Sequence, residues 1–329
     1  MATHFPMPFT PAAIPASWQA DFNALQRPSP ITQLKEPLLA EKNIQLFIKR
    51  DELIHPVIQG NKWRKLKYNL LAAAEQSAKT ILSFGGAYSN HLHALAASGQ
   101  LFNFKTIGIV RGERPATLSP SLQDMQDWGM QLEFISRADY RMRDSSEFIQ
   151  QLKQKYGEFY LLPEGGNNTA GRQGCAELLD ELEQTYDVIC CEVGSGTQFS
   201  ALVSQHASSS QAAQQTHYLG FVVMKNPTLL QQLKDYFQQQ QVAYSNWSLN
   251  HDYHFGGFAR ADDTLHKFIR QFKQQHGIQL EPVYSGKMLY GIYQLIEQDY
   301  FKPGSRILAI HGGGLQGLRG FADAYPDEF

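Results

Sequence analysis

Short apolar runs alternate with amphipathic stretches along most of the chain, and many of the runs stop at glycine. The runs at residues 44–49, 80–84 and 188–193 have the length and composition of buried strands. After Asn61 the apolar positions recur every three or four residues, beginning with Trp63, which predicts an amphipathic helix. Strand, turn and helix therefore follow one another as a repeated unit.

The same rhythm continues toward the C-terminus. Further strands are predicted at residues 106–110, 132–135, 159–162, 218–223 and 307–310. Further helices are predicted at residues 90–97, 119–128 and 199–205, from about residue 172, and around residues 288–296. This alternation predicts an α/β fold with mostly parallel sheets. Sites in such folds lie at the carboxyl ends of strands, where the glycine turns of this chain fall.

The composition is that of an ordinary globular protein, with 43% hydrophobic and 18% charged residues among 329. This length suffices for two domains, and the lack of a flexible linker indicates that they are not contiguous in sequence. The formal net charge is −2 without long basic or acidic runs, which argues against a general nucleic-acid surface. The polar stretch at residues 207–216 is expected to be a surface loop or a frayed helix end.

The cysteines and the N-terminal segment bear on the compartment. Cys175, Cys190 and Cys191 fit neither a zinc site nor a disulfide framework, and the last two would point to opposite faces of a strand. Residues 1–15 lack the basic region and apolar core of a signal peptide, and no apolar run is long enough to cross a bilayer. We therefore expect a cytoplasmic protein without a membrane partner.

Two lysines three residues apart mark the start of the helix that follows residue 60. Gly60-Asn61-Lys62 places an amine behind a flexible glycine and a capping asparagine, and Lys65 follows on the same side. One amine could form an imine with a carbonyl compound, while the other could hold that compound's anionic tail. Pyridoxal phosphate chemistry asks for this combination, although solvated lysines at helix starts have the same spacing.

One strand-to-helix turn has the form of a phosphate site. Gly194-Ser195-Gly196-Thr197 combines small residues, hydroxyls and a helix N-terminus. It lacks the Gly-Lys ending of a Walker loop, and Phe199 stands where the dinucleotide motif has its third glycine. The alternative is a tight turn that binds nothing.

Other turns carry candidate polar groups. Ser89 and Asn90 follow Gly85-Gly86 at a helix start, where Ser89 either caps the helix or faces a small carboxylate. His91 and His93 diverge on a helix, so we expect no metal site there. Tyr284 precedes the late helix and is either a packed aromatic or an acid or base beside a cofactor. The glycines from Gly312 onward leave bare backbone at a strand end, which suits a flat ring.

Taken together, these segments resemble one family. They are, in chain order, Gly60-Asn61-Lys62-x-Arg64-Lys65-Leu66-x-Tyr68, Gly85-Gly86-x-x-Ser89-Asn90, Gly196-Thr197, Pro282-Val283-Tyr284-x-Gly286-Lys287 and Gly312-Gly313. They look like the pyridoxal-phosphate enzymes of the 1-aminocyclopropane-1-carboxylate deaminase/D-cysteine desulfhydrase family. The order and rough spacing match from about Pro28 to near the C-terminus, and the segments are specific jointly rather than singly.

The resemblance implies the tryptophan synthase β-like fold, known as fold type II, with two α/β domains and the cofactor between them. The large domain would comprise residues 1–62 plus 173–329, and the small domain residues 63–172. The family resemblance also implies a homodimer that acts on a small amino acid.

The resemblance further implies roles for single residues. The side chains and backbone that would hold pyridoxal phosphate are Lys62, Lys65, Asn90, Ser195, Gly196, Thr197, Ser285 and Gly312. Those that would surround the substrate are Ser89, Asn90, His91, Phe258 and Tyr284. Lys62, Tyr284 and Ser89 would take part in catalysis, with Lys62 forming the internal imine and then removing the Cα proton.

Two positions depart from the family pattern. Ser285 stands where the deaminase has a glutamate and the desulfhydrase branch a threonine, so no carboxylate keeps the pyridine nitrogen protonated. Phe258 stands where both activities have a tyrosine, which removes a hydroxyl near the substrate. Because a thiolate is a good leaving group, we expect β-elimination from D-cysteine, giving pyruvate, ammonia and sulfide.

Three other functions stay open on the sequence. The first is 1-aminocyclopropane-1-carboxylate deaminase, which Ser285 and Phe258 disfavour. The second is a β-replacement synthase of the cysteine-synthase type. The third is a non-catalytic protein that binds pyridoxal phosphate or a small amino acid, which the change at Phe258 keeps open.

Overall fold

In the computed structural model, which describes residues 14–208 and 215–325, ten strands form two separate sheets. The strands are β1 (Ile31–Gln33), β2 (Gln45–Lys49), β3 (Thr80–Gly85), β4 (Lys105–Arg111), β5 (Gln131–Ile135), β6 (Tyr160–Leu162), β7 (Val188–Val193), β8 (His217–Val222), β9 (Trp247–Asn250) and β10 (Arg306–Ile310). The larger sheet has the order β1-β2-β10-β7-β8-β9, and the smaller one β5-β4-β3-β6. Only the β1–β2 pair among these strands is antiparallel, so the predicted α/β fold with mostly parallel sheets is confirmed.

Helices join and cover the strands. They are α1 (Gln19–Asn23), α2 (Pro37–Glu41), α3 (Gly60–Glu75), α4 (Asn90–Phe102), α5 (Pro120–Asp127), α6 (Arg137–Tyr140), α7 (Ser146–Tyr156), α8 (Thr169–Ala176), α9 (Thr197–Ser208), α10 (Leu229–Gln239), α11 (Asp263–His276) and α12 (Ser285–Glu297). Each predicted strand and helix is present within a few residues of its expected ends. The prediction omitted β1, β9 and several outer helices, including the amphipathic α7 and α11.

The central strands of the larger sheet end level with one another. Ile310 pairs with Lys49 on one side and with Cys191 on the other, so β2, β10 and β7 reach the same edge. Apolar cores cover both faces of this sheet, and Cys190 and Cys191 belong to different cores, as strand alternation predicts. The glycine turns after β7 and β10 therefore meet at one place.

The two sheets draw their strands from the two predicted domain ranges. Strands β3 to β6 fall within residues 63–172, and the other six fall outside it. Helices α3 and α8 run across the predicted boundaries, and the boundaries themselves stay a prediction.

Two expectations concern segments at the limits of the described structure, and a third concerns membrane-spanning helices. Residues 1–13 and 209–214 lie outside the described residues, so the expectations for the N-terminal segment and for most of the stretch 207–216 stay predictions. Within the described ranges, no helix combines the length and hydropathy needed to cross a membrane.

Candidate active site

A buried ion cluster fixes the first turns of α3, the helix that carries both predicted lysines. The Arg64 guanidinium donates to Asp51 at 2.6 and 2.8 Å and to Glu181 at 3.0 and 2.9 Å. The Lys49 ammonium lies 2.8 Å from the Glu181 carboxylate. Because Lys49 ends β2 and Asp51 follows it, this cluster sets the position of α3 against the larger sheet.

The start of α3 packs closely against the glycine turn that follows β10. Gly60 has a φ of +54°, and a Cβ added to it would lie 2.2 Å from the Gly312 carbonyl oxygen. The Asn61 N–H donates to that same oxygen at 3.3 Å. A Cβ on Gly312 would in turn lie 1.9 Å from Glu192 Oε1, so this approach requires glycine at both positions.

The Lys62 amine lies between Asn61 and the Tyr284 ring. The amine donates to Asn61 Oδ1 and lies 5.9 Å from the centroid of the Tyr284 ring. Burial, together with the positive charge of Lys65, lowers the pKa of Lys62 to about 7. The lowered pKa favours the unprotonated amine, which is the form that attacks a carbonyl carbon.

Lys65 lies one helical turn further along and is buried. Among the described residues, its ammonium forms no hydrogen bond or ion pair, and burial lowers its pKa. A Cβ on Gly166 would lie 3.1 Å from Lys65 Cβ, so the turn after β6 passes directly beside this lysine. A buried cation without a partner is costly, and a bound anion would supply the missing charge.

The turn between β7 and α9 offers donors to such an anion. Ser195 and Thr197 hydroxyl oxygens lie 2.9 Å apart, and Gly196 has a φ of +78°. Within the described residues, the N–H groups of Gly196, Thr197 and Gln198 have no hydrogen-bond acceptor. These groups open α9, so its dipole adds to their attraction for an anion.

A second glycine turn, to which the sequence assigned no role, completes this side of the site. A Cβ on Gly165 would lie 3.6 Å from Ser195 Oγ, and the Thr197 hydroxyl donates to Asn167 Oδ1 at 3.0 Å. The Arg172 guanidinium also donates to Asn167 Oδ1, at 2.6 Å. The signal was present in the sequence, because two glycines and two asparagines follow a strand here as glycines do at the other turns.

The start of α4 is capped by Ser89, one of the two roles that the sequence left open, and it also leaves backbone donors unpaired. The Ser89 hydroxyl accepts from the Leu92 N–H at 3.2 Å, which makes Ser89 the helix N-cap. Among the residues described, the N–H groups of Asn90 and His91 have no acceptor, so two donors remain for a carboxylate. The Asn90 side-chain oxygen accepts from Gln316 Nε2 at 2.9 Å, which ties α4 to the C-terminal segment.

His91 is buried and neutral. The Ser83 hydroxyl donates to the Leu162 carbonyl at 2.7 Å, so the His91 Nε2, 2.8 Å from Ser83 Oγ, must carry the hydrogen. Its Nδ1 is then an acceptor, and it has no partner in the described structure. Burial, with the charges of Lys65 and Lys62, lowers the pKa of His91 to about 3.

His93 points elsewhere, because its Nε2 lies 2.8 Å from Asp124 Oδ2. Across the described parts of the chain, no three His, Cys, Asp or Glu side chains cluster in a way that could hold a metal ion.

The start of α12 brings an aromatic ring to the site. Glu281 accepts from the N–H groups of Val283, Tyr284 and Ser285 at 2.7, 2.8 and 2.7 Å. The Ser285 hydroxyl donates to the same carboxylate at 3.3 Å. A Cβ on Gly194 would lie 3.4 Å from Tyr284 Cε1, so the ring covers the phosphate-type turn.

Phe258 reaches the site from the loop between β9 and α11. Its ring meets Tyr284 edge-on with 6.1 Å between centroids, and the residue is 47% exposed. An apolar ring therefore stands at the solvent side of Tyr284.

Glu192 is a site residue that sequence reasoning missed. It is buried near the end of β7, and among the described residues its Oε2 has no hydrogen-bond partner. Burial raises its pKa to about 8. The available signal was a single charged residue in the otherwise apolar run 188–193.

Comparisons with known proteins identify the family of the chain. A family model described as pyridoxal-phosphate dependent enzyme matches residues 23–313. A Thermotoga maritima protein provisionally named 1-aminocyclopropane-1-carboxylate deaminase is 28% identical over 306 residues, covering 89% of this chain and 95% of that protein. The mitochondrial bifunctional D-cysteine desulfhydrase/1-aminocyclopropane-1-carboxylate deaminase of Arabidopsis thaliana is 28% identical over 327 residues, covering 90% of this chain and 79% of that protein. A solved structure described as an ACC deaminase homologue superposes with a TM-score of 0.78 at 25% identity, covering 94% and 98% of the two chains.

Proposed function

The chain belongs to the pyridoxal-phosphate-dependent enzyme family. Within that family, we propose that it is a lyase that removes the β-substituent of a small D-amino acid. D-cysteine is the first candidate, with water consumed and pyruvate, ammonia and hydrogen sulfide released. The observation that carries the proposal is the Lys62 amine, with a pKa of about 7, 5.9 Å from the Tyr284 ring centroid.

The residues fit the phosphate end of the cofactor. Lys65 is a buried cation without a partner in the described structure, and the start of α9 presents unpaired N–H groups beside two hydroxyls. Lys65, Ser195, Gly196 and Thr197 would hold the phosphate. A dianionic group satisfies both the lysine and the helix N-terminus, which a neutral ligand does not.

The residues also fit the carbonyl end. Bound pyridoxal phosphate supplies an electron sink that stabilises the charge left when a bond at Cα breaks. Lys62 Nζ would hold the cofactor and, once released, accept the Cα proton, since its pKa matches that task near neutral pH. Gly312 gives a surface of bare backbone, and Asn90 would contact the ring's phenolic oxygen.

The substrate would lie between α4 and the aromatic pair. Ser89, Asn90 and the open N–H groups at the start of α4 would receive its carboxylate, with the His91 ring at the edge of the same pocket. Tyr284 and Phe258 would face its side chain. Ser89 and Tyr284 would contribute to catalysis through their hydroxyls, as the resemblance implies.

Ser285 favours elimination over ring opening. Its hydroxyl would face the pyridine nitrogen, and the nearby Glu281 carboxylate is already saturated by three backbone N–H groups. Glu281 is therefore occupied by the backbone, and Ser285 itself supplies no carboxylate to strengthen the electron sink. A thiolate leaving group needs less assistance than a cyclopropane. The homodimer that the resemblance implies and the cytoplasmic location expected from the sequence stay predictions.

The test is an absorbance spectrum of the protein loaded with pyridoxal phosphate, followed by assays of pyruvate and sulfide from D-cysteine. We expect a visible band of the bound cofactor and product formation. Lys62→Ala should lose the attached cofactor and at least a thousandfold in rate, whereas Lys79→Ala, on an exposed lysine, should behave as wild type.

Other outcomes separate the alternatives. Release of 2-oxobutanoate from 1-aminocyclopropane-1-carboxylate would show the deaminase that two relatives are named for, and incorporation of added sulfide into an activated serine would show a synthase. A cofactor band without turnover of any amino acid tested would indicate a binding protein. Undiminished turnover by Lys62→Ala would refute the assignment of Lys62.

A further inference from the structure

Lys287 binds three backbone carbonyls at once in the interior of the protein. The side chain is 1% exposed, and its ammonium donates to the carbonyls of Val223, His254 and Gly257 at 3.2, 2.9 and 2.8 Å. An ammonium has three hydrogens, so this geometry uses all of them. Throughout the described residues, no carboxylate forms an ion pair with Lys287.

Two of these carbonyls belong to the loop 251–260, which joins β9 to α11. Phe255 and Ala259 have φ angles of +52°, a left-handed conformation that costs energy outside glycine. The turn closes on itself through the N–H groups of Gly256 and Gly257, which donate to His254. Such a backbone persists only where surrounding contacts hold it, and the Lys287 ammonium supplies two of them.

The same loop carries Phe258 to the candidate site. Phe258 meets the Tyr284 ring, and Tyr284 lies 5.9 Å from the Lys62 amine. Tyr284 precedes Lys287 by three residues, so the first turn of α12 holds both the ring and the loop's attachment. The same helical turn therefore contacts Phe258 through the Tyr284 ring and holds the backbone of its loop through Lys287.

Holding the loop with a buried ammonium has an energetic cost. Burying an ammonium among neutral carbonyls costs more than burying an apolar side chain of the same length. An apolar residue would fill the space but would leave the carbonyls unpaired and the loop unattached. The cost is explained if the position of the loop matters for the reaction.

We propose that Lys287 is a positioning residue that holds the loop 251–260, and with it Phe258, against Tyr284, and so sets how substrate fits beside Lys62. The expected effect on KM rests on the proposed function. The expected effect on loop opening can be measured without any substrate.

The first experiment is limited trypsin digestion of the enzyme loaded with pyridoxal phosphate. Arg260 is exposed at the end of the loop, and cleavage after it reports loop opening. Lys287→Met, which keeps an unbranched apolar stem and removes the ammonium donors, should raise the cleavage rate after Arg260 about tenfold or more. Lys267→Met, an exposed lysine on α11, is the matched control and should leave the rate unchanged. An unchanged rate in Lys287→Met overturns the proposal.

The second experiment separates positioning from general stability. On the best substrate, Lys287→Met should raise KM several-fold, with the cofactor absorbance band and the affinity for pyridoxal phosphate as in wild type. In a Phe258→Ala background the effect of Lys287→Met on KM should largely disappear, because the ring it positions is gone. Additive effects of the two substitutions would show that Lys287 does not act through Phe258.

A third measurement needs no substitution and covers the case in which Lys287→Met does not fold. The amides of Gly256 and Gly257 in the wild-type holoenzyme should exchange with deuterium at least a hundredfold more slowly than an unstructured peptide. Exchange at the unprotected rate would overturn the proposal. Digestion and exchange stay informative even if no amino acid is turned over, so failure of the proposed function is distinguishable from failure of this inference.

Discussion

At the scale of single residues, the site depends on two lysines one helical turn apart on α3. Burial lowers the pKa of both, and for Lys62 the charge of Lys65 lowers it further. Spacing alone does not distinguish such a pair from solvated lysines. The distinction comes from what surrounds them, namely the Tyr284 ring near the Lys62 amine and the glycine turn at Gly166 against the Lys65 side-chain stem.

The effect of the Lys65 charge on the pKa of Lys62 should be measurable. Replacing Lys65 with methionine removes a positive neighbour, so the pKa of Lys62 should rise above about 7, by roughly one unit. The measurement is the pH midpoint of Lys62 acylation, followed by peptide mass spectrometry on protein stripped of cofactor. Lys79→Met serves as control, since Lys79 is exposed. An unchanged midpoint in Lys65→Met would mean that burial alone sets the pKa of Lys62.

At the scale of elements, each group of donors sits where a helix begins at the edge of a sheet. Helices α3, α4, α9 and α12 all start at the site. Their first N–H groups have no partner within the helix, and this makes helix starts suitable for anionic groups. The orientation of α3 depends on the Arg64 cluster, because Arg64 connects the helix to Asp51 and Glu181.

The contribution of this cluster to the free energy of unfolding should decrease as the pH falls. Burial alone would raise the pKa of Glu181, but hydrogen bonds and charge from Arg64 and Lys49 outweigh it and lower the pKa to about 2. The ionised Glu181 therefore stabilises the fold above its ordinary value of 4.5, and this contribution is lost as pH falls from 4.5 toward 2. Glu181→Gln should lower the free energy of unfolding at pH 7 by on the order of 2 kcal/mol.

Urea unfolding of both proteins between pH 7 and pH 3 checks this prediction. The difference between wild type and Glu181→Gln should shrink as the pH falls below 4.5. Glu158→Gln is the control, because Glu158 pairs with Lys153 at the surface and should cost less than about 0.5 kcal/mol. A difference that is constant with pH would contradict the role of the Glu181 charge.

At the scale of the whole molecule, the site exists because two sheets and the C-terminal segment meet. The smaller sheet contributes the turns at Gly85 and Gly165, and the larger one those at Gly194 and Gly312. The segment after β10 contacts both parts, because Gln59 Oε1 accepts from the N–H groups of Gly314 and Leu315, while Gln316 donates to Asn90. Substitutions in this segment should therefore affect cofactor binding without touching the lysines.

Gly312→Ala tests that dependence. The new Cβ would lie 1.9 Å from Glu192 Oε1 and 2.8 Å from Asn61 Nδ2, so the junction with α3 must shift. We expect at least a tenfold loss of affinity for pyridoxal phosphate, measured by the absorbance of bound cofactor. Gly317→Ala is the matched control in the same segment, because its Cβ would meet nothing closer than 3.9 Å. Equal affinities in the two variants would show that the close approach at Gly312 is not required.

Much of the fold was predictable because its signals are local. Buried parallel strands are continuous apolar runs that end at glycine, so the strands at 80–84 and 188–193 were recognised from composition alone. The predicted α/β fold of type II is confirmed. The short edge strands β1 and β9 were missed, because at three and four residues they are too short for a periodic pattern.

The sequence by itself determined the order of the elements, the chemistry at each turn and the membership of a pyridoxal-phosphate-dependent family. Only the tertiary structure decided which groups face one another. It placed the buried Glu192 against Gly312, turned His91 Nδ1 into an unpaired acceptor and attached the Phe258 loop to Lys287. The physical reason is that helices and strands arise from neighbours in the chain, whereas burial, charge pairing and pKa arise from residues that folding brings together across long separations.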